Sequence, residues 1–193
     1  MQQISTKQNI LLKAGELFYA QGFNNTGMEK ITEVCGIKKP ALYYHFESKT
    51  GLGIAYLEYR AEMLFGMLDH LLGRSSTFDK YLSSWATALF VLAKRGEFFG
   101  CPFTAFASEL SLDERPLFTP QLNSVQERWL RFQARAYLQY HENSAAAKQV
   151  ARRILVAHTG CVMLYRASRD LQYLKQLKAE FAAIAAAAEE YNA

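Results

Sequence analysis

The sequence predicts an all-α fold, on three observations. Apolar residues recur every three to four positions along most of the chain, the period of a helix buried on one side. Turn formers are sparse, 4 prolines and 11 glycines in 193 residues, whereas a β-sandwich or barrel needs a turn about every 8–12 residues. Half of the residues are hydrophobic and 21% are charged, enough for a core and too apolar for disorder over most of the length.

The first helix is carried by Ile10, Leu11, Ala14, Leu17 and Phe18 and ends near Gly22. Thr26-Gly27-Met28-Glu29 reads as a capping box, in which the threonine hydroxyl satisfies the Glu29 backbone and the glutamate reaches back. The second helix that starts there has Met28, Ile31, Val34 and Cys35 as its apolar positions, and Gly36 stops it in the left-handed region. The third must lie within Lys38 to Phe46, because Pro40 fits only a first turn and Leu42 and Phe46 repeat at four residues. At about 100° per residue Leu42 and Phe46 share the inner face, His45 lies beside them, and Pro40, Ala41, Tyr43 and Tyr44 point outward.

Ser48 caps a long helix from Lys49 to Leu72, with Leu52, Ala55, Tyr59, Met63, Met67 and Leu71 inward and Gly73 as its stop. Thr77 opens the next, with Tyr81, Leu82, Trp85, Leu89 and Leu92 inward. Residues 96–103 break it, a short helix covers about 102–110, and an acidic loop with two prolines runs to Pro120. Gln121 to Tyr140 repeats Leu122, Val125, Trp129, Phe132, Ala136 and Tyr140. Two further helices follow, 144–168 and 170–190, the last capped by Asp170 and carrying Leu174, Leu177, Phe181 and Ile184. The alanine run 182–188 has high helix propensity and reads as a closely packed helix.

The net charge of +4 and pI of 8.9 permit nucleic-acid binding without requiring it. Cys35, Cys101 and Cys161 are odd in number and irregularly spaced, so no disulfide framework is expected. The polar first eight residues lack a signal-peptide pattern, and no run of 18 apolar residues occurs. The expectation is a soluble cytoplasmic protein without a membrane segment. Enzyme patterns are missing: there is no glycine-rich phosphate loop or nucleophile elbow, histidines 45, 70, 141 and 158 are scattered, and Glu58 and Glu62 lack a histidine partner. Neither catalytic nor metal-ligating residues are assigned, and no cofactor is implied.

Three short helices with a glycine turn between the second and third form a helix-turn-helix pattern, whose last helix would lie in a major groove. Tyrosine hydroxyls can bond phosphates, Ala41 can touch a thymine methyl, and Lys38, Lys39 and Lys49 surround them with positive charge.

The stretch from Thr26 to Lys49 resembles the DNA-binding signature of TetR-family transcriptional regulators, above all in Gly36-Ile37, Leu42-Tyr43-Tyr44-His45-Phe46 and Ser48-Lys49, preceded by Leu17-Phe18 and Gly22-Phe23. The resemblance covers the first quarter closely, and the later helices match the family's length and plan. It implies a helix-turn-helix domain over 1–48, a helical ligand-sensing and dimerisation domain over 49–193, and a homodimer on a palindromic double-stranded operator that a small-molecule effector releases. Carried over by residue, Tyr43 and Lys49 grip phosphate, Thr26 caps the second helix and approaches the backbone, and Lys39, Ala41 and Tyr44 approach bases, with Lys38 among the DNA-binding residues. His45 is either packed or a phosphate contact. Lys38 stands where the family often has serine, and Pro40 replaces a common small residue.

Gly100-Cys101-Pro102 is similar to a segment in the branch of that family that includes electrophile and oxidant sensors such as NemR and AcuR. Two readings of Cys101 stand: a sensor whose thiolate a helix N-terminus favours, or a small hydrophobe at a loop-to-helix junction. Trp85, Phe103, Phe106, Trp129 and Phe132 are the candidate lining of an effector pocket. The small residues of the last two helices, 144–190, are the expected dimer interface. A helical small-molecule-binding dimer with a vestigial DNA-binding head is the alternative.

Overall fold

Helix α1 (Thr6–Gln21) starts on a capping box of Ser5 and Gln8 and ends at Gly22, whose φ of +97° suits a residue without a Cβ. The computed structural model describes residues 4–191, and those residues form nine helices and no strand. The remaining helices are α2 (Met28–Cys35), α3 (Lys39–His45), α4 (Lys49–Gly73), α5 (Phe78–Lys94), α6 (Pro102–Glu109), α7 (Arg115–Leu138), α8 (Ser144–Ser168) and α9 (Gln172–Glu190). Ser48 accepts from Gly51 N and Thr77 from Lys80 N, so the expected caps of α4 and α5 are present, whereas α9 starts at Gln172 with Leu171 as its N-cap and no side-chain cap, the Asp170 carboxylate accepting from Gln172 N in the turn before it.

Three more local expectations are corrected. The Thr26 box does not form, because the N-cap of α2 is Gly27 and the Thr26 hydroxyl donates back to Gly22 O at 2.8 Å. α4 buries a stripe that shares only Leu52 with the one predicted: Leu52, Tyr56, Leu57, Ala61, Phe65, Leu68 and Leu72 are buried, while Met63 is 50% exposed. Both stripes recur near four residues, and the side holding the aromatic rings is the one that finds partners, as Phe65 does in Phe132 at 5.8 Å. α7 begins at Arg115 rather than Gln121, taking in both loop prolines. Pro116 sits in the first turn, where its missing N–H costs nothing. Pro120 removes one ladder bond beyond it, and the Thr119 hydroxyl donates to Arg115 O at 2.7 Å there.

The chain packs as two units, one of residues up to Glu62 together with Pro102–Asn123, the other of Met63–Cys101 and the chain from Ser124 onward. These packing units are drawn differently from the division at residue 48 that the family resemblance implies. In the first, Ile10, Ala14, Phe18, Ile31, Leu42 and Phe46 are buried beneath α1, α2 and α3. A ring cluster of Phe23, Phe106 and Phe118, with centroids 4.5–5.4 Å apart, lies against Gly53 of α4. A Cβ at Gly53 would stand 2.8 Å from Phe23, so glycine is what lets the rings close there.

In the second unit α9 packs on α5 and α8. Its core runs through Phe78, Tyr81, Trp85, Trp129, Ile154, Val162, Leu177 and Phe181. Tyr140 donates to Ser75 O at 2.8 Å, tying the end of α7 to the α4–α5 turn. The segment after α5 is held on the end of α8: Arg166 donates to Phe99 O at 2.9 Å and Tyr165 to Phe98 O at 3.2 Å. Gly100, at φ +106°, lies so close that a Cβ there would be 3.0 Å from that of Arg166. No described helix is long and apolar enough to cross a membrane.

Candidate nucleic-acid interface

α2 and α3 meet through a turn that only a glycine makes cheaply. Gly36 is left-handed at φ +66°, its N–H closes α2, and Ile37 N donates to Thr32 O at 3.1 Å. Lys38 is then the extended N-cap of α3, with Pro40 in the first turn. Lys38 has no hydroxyl, so no side chain caps α3.

The inner and outer faces of α3 fall where the sequence placed them. Leu42 is fully buried and Phe46 is 6% exposed, whereas Tyr44 is 85% and Tyr43 40% exposed. Ala41 and His45 are half-buried, and the His45 ring meets the edge of Tyr44 at 5.0 Å. Lys38 and Lys39 are exposed, and the Lys39 ammonium lies 3.4 Å from Glu29 in a solvated pair. Six of the eight expected contact residues thus cluster on or beside α3: Lys38, Lys39, Ala41, Tyr43, Tyr44 and His45.

Thr26 and Lys49 are placed differently. Thr26 is fully buried, its hydroxyl on Gly22 O and its N–H on Phe23 O, so it orders the turn between α1 and α2. Lys49, the first residue of α4, rests its ammonium 4.4 Å from the centre of the Phe23 ring. Burial there lowers its pKa, opposed by the nearby carboxylates of Glu114 and Glu109. Sequence reasoning missed what holds this turn: Asn24 donates to Glu109 from its backbone N at 3.1 Å, and from its side chain to the Glu109 carbonyl. No local pattern signals a contact across 85 residues.

Of the five aromatic residues expected to line a pocket, Phe103 and Phe106 belong to the first unit and Trp85, Trp129 and Phe132 to the second. Phe106 is buried with Phe23 and Phe118, and Phe103 is half-buried in the same unit. Trp85, Trp129 and Phe132 are core of the second unit, the two indoles 5.8 Å apart. A groove of about 770 Å³ runs instead along α8 and α9, lined by Arg152, Val156, Ala157, Gly160, Leu164 and Ile184 among others, and none of the five faces it. Cys101 is half-buried immediately before α6, Cys161 is buried, and Cys35 is half-buried. No cluster of metal-ligating side chains occurs among the described residues.

Residues 10–56 match the model of bacterial regulatory proteins of the tetR family, and residues 76–180, more than half of the chain, match the C-terminal domain of LmrA/YxaF-like transcriptional regulators. The chain belongs to the TetR family. It is a regulator of transcription, not an enzyme. Over 172 residues it is 26% identical to the HTH-type transcriptional regulator YxaF of Bacillus subtilis, covering 86% of this chain and 87% of that one. A 55-residue stretch, 28% of this chain, is 38% identical to the HTH-type transcriptional activator FasR of Mycolicibacterium smegmatis, and spans only 25% of FasR. The TetR-family regulator SCO4454 of Streptomyces coelicolor has the same fold, with a TM-score of 0.82 at 18% identity over 95% of this chain and 90% of that one. The family assignment accounts for the helix-turn-helix built by α2 and α3.

Proposed function

We propose that this TetR-family regulator is a repressor, a homodimer that holds a palindromic operator with the outer face of α3 and releases it when a small effector enters the 49–193 domain. One observation carries the DNA-binding part: Tyr43 and Tyr44 of α3 are exposed, with exposed Lys38 and Lys39 at its start, while Leu42 and Phe46 are buried. Lys38, Tyr43 and Lys49 serve phosphates, and Lys39, Ala41 and Tyr44 approach base edges. His45, beside Tyr44, supports the ring that reads.

Selection from random duplexes tests this. A palindromic site is expected, with affinity falling steeply as salt rises. Lys38→Ala weakens binding to all sequences alike and reduces the salt slope by about 1, whereas Tyr44→Ala changes which bases are preferred. Failure to enrich any site rejects the proposal and leaves the helical small-molecule-binding dimer. FasR is an activator, so a promoter fusion decides the sign: deletion of the regulator raises expression from a repressed operator.

Cys101 is the proposed point of attack for an electrophilic effector, supported by its place directly ahead of α6 and by the local likeness to the NemR and AcuR branch. Alkylation followed by operator binding tests it: the wild type releases DNA and Cys101→Ser does not. Equal behaviour of the two leaves Cys101 as packing.

A further inference from the structure

Glu109, the last residue of α6, stands where local terms disfavour it. A carboxylate at a helix C-terminus faces the negative end of the helix dipole, and within a DNA-binding unit it repels phosphate. Its partner lies 85 residues back, in the turn between α1 and α2 of the same unit. Asn24 N donates to Glu109 Oε2 at 3.1 Å, and the Asn24 side chain donates to the Glu109 carbonyl, one of the carbonyls that the end of α6 leaves open. The carboxylate also lies against Gly22, where a Cβ would be 2.6 Å from Oε2. The Lys49 ammonium offsets the charge, standing in the field of Glu114 and Glu109.

We propose that Glu109 is a positioning residue for sequence reading: it fixes the α1–α2 turn, and through that turn the angle at which α3 meets the major groove. The assignment rests on the DNA-binding reading above and adds a residue outside the helix-turn-helix. α2 and α3 have eight and seven residues, and neither N-cap makes a side-chain bond, so they do not hold their own orientation. The entry to α2 is set by the turn. There Thr26 is tied to Gly22 and Phe23, the Asn25 side chain donates to Gln21 O at 3.1 Å, and Asn24 is tied to α6. Phosphate contacts tolerate a small tilt, whereas hydrogen bonds to base edges need placement within about 0.5 Å. Loosening the turn therefore harms base reading more than phosphate attraction.

In the ¹⁵N-labelled full chain the amide exchange of Asn24 reports the bond itself, because the residue is exposed and only a bonded N–H there exchanges slowly. Slow exchange is expected in the wild type and free exchange in Glu109→Ala. Affinity is then measured, over a range of salt, for the site enriched from random duplexes and for a scrambled duplex. Glu109→Ala should lose at least about tenfold on the site and less than about threefold on the scrambled duplex, with the salt slope unchanged because no phosphate contact is removed. Glu109→Gln, whose amide oxygen can still accept from Asn24 N, should keep the wild-type selectivity, which separates the bond from the charge. Asn24→Ala approaches the contact from the turn: it loses the bond to the Glu109 carbonyl and should lower selectivity by at least about threefold. An equal change on both duplexes in Glu109→Ala, such as a merely destabilised head would give, overturns the proposal. So do unchanged selectivity in Asn24→Ala, free exchange of Asn24 in the wild type, and a loss in Glu109→Gln as large as in Glu109→Ala. Enrichment of no site by the wild type rejects the DNA-binding reading and this role with it, whereas a site read equally well by wild type and Glu109→Ala rejects the positioning role alone.

Discussion

His158 shows how much one buried side chain carries. Its imidazole is sealed beside Trp85 and Trp129, and burial holds its pKa near 4, below the ordinary 6.5. In the unfolded chain the ring takes a proton as pH falls through 6.5, while in the folded protein it stays neutral until about pH 4. Its contribution is therefore complete above pH 6.5, is lost progressively down to about 4, and amounts to about 3 kcal/mol across that window. Urea denaturation at pH 7 and pH 4.5 should show this loss in the wild type and a smaller one in His158→Phe. Thr26 is a second case. Its hydroxyl serves the buried Gly22 carbonyl, so Thr26→Val, nearly equal in shape, should cost about 1–3 kcal/mol by leaving that acceptor short, measured by the same method. Neither environment was legible locally, since a Thr followed three residues later by Glu matches a capping box whether or not the turn before it claims the hydroxyl.

At the scale of an element, α4 contains its own controlled experiment. Gly53 and Gly66 lie in the same helix, where alanine is intrinsically favoured by about 1 kcal/mol. A Cβ at Gly66 meets nothing within 4 Å, so Gly66→Ala should raise Tm. A Cβ at Gly53 would press on Phe23, Phe118 and Phe106 at 2.8–3.2 Å, and rings packed on one another have little room to give. Overpacking of about 1–3 kcal/mol then outweighs the propensity gain, and Gly53→Ala should lower Tm. The sequence marked neither glycine as special, because helix propensity treats both alike. In α7 the opposite held: Pro116 and Pro120 look like loop residues in isolation, yet one occupies a first turn and the other forfeits a single backbone bond.

For the whole molecule, the proposed homodimer depends on the outer side of α8. Val156 is 73% and Leu164 48% exposed there, and Ala157 and Gly160 leave room for a second backbone. Apolar side chains so open beside small residues have a reason to be there if a second copy covers them. Val156→Glu with Leu164→Glu should convert a dimer to a monomer in light scattering at micromolar concentration and weaken operator binding, because two half-sites are no longer engaged together. A wild-type monomer under those conditions rejects the arrangement.

The helical class, the helix-turn-helix and the orientation of α3 were settled by the sequence alone. Each rests on interactions within one or two turns: the apolar period, the left-handed Gly36, and Leu42 with Phe46 opposite two tyrosines. The same local terms placed α8 at residues 144–168 and the start of α6 at Pro102. Only the tertiary structure decided which of two equivalent stripes α4 buries, that Thr26 turns back to Gly22, that Lys49 lies on Phe23, and that Asn24 is held by Glu109. It also buried Trp85 and Gln133 with side-chain donors that no hydrogen bond reaches. Those outcomes depend on partners tens of residues away, and the energy that chooses among them comes from packing and desolvation, which a periodic pattern does not encode.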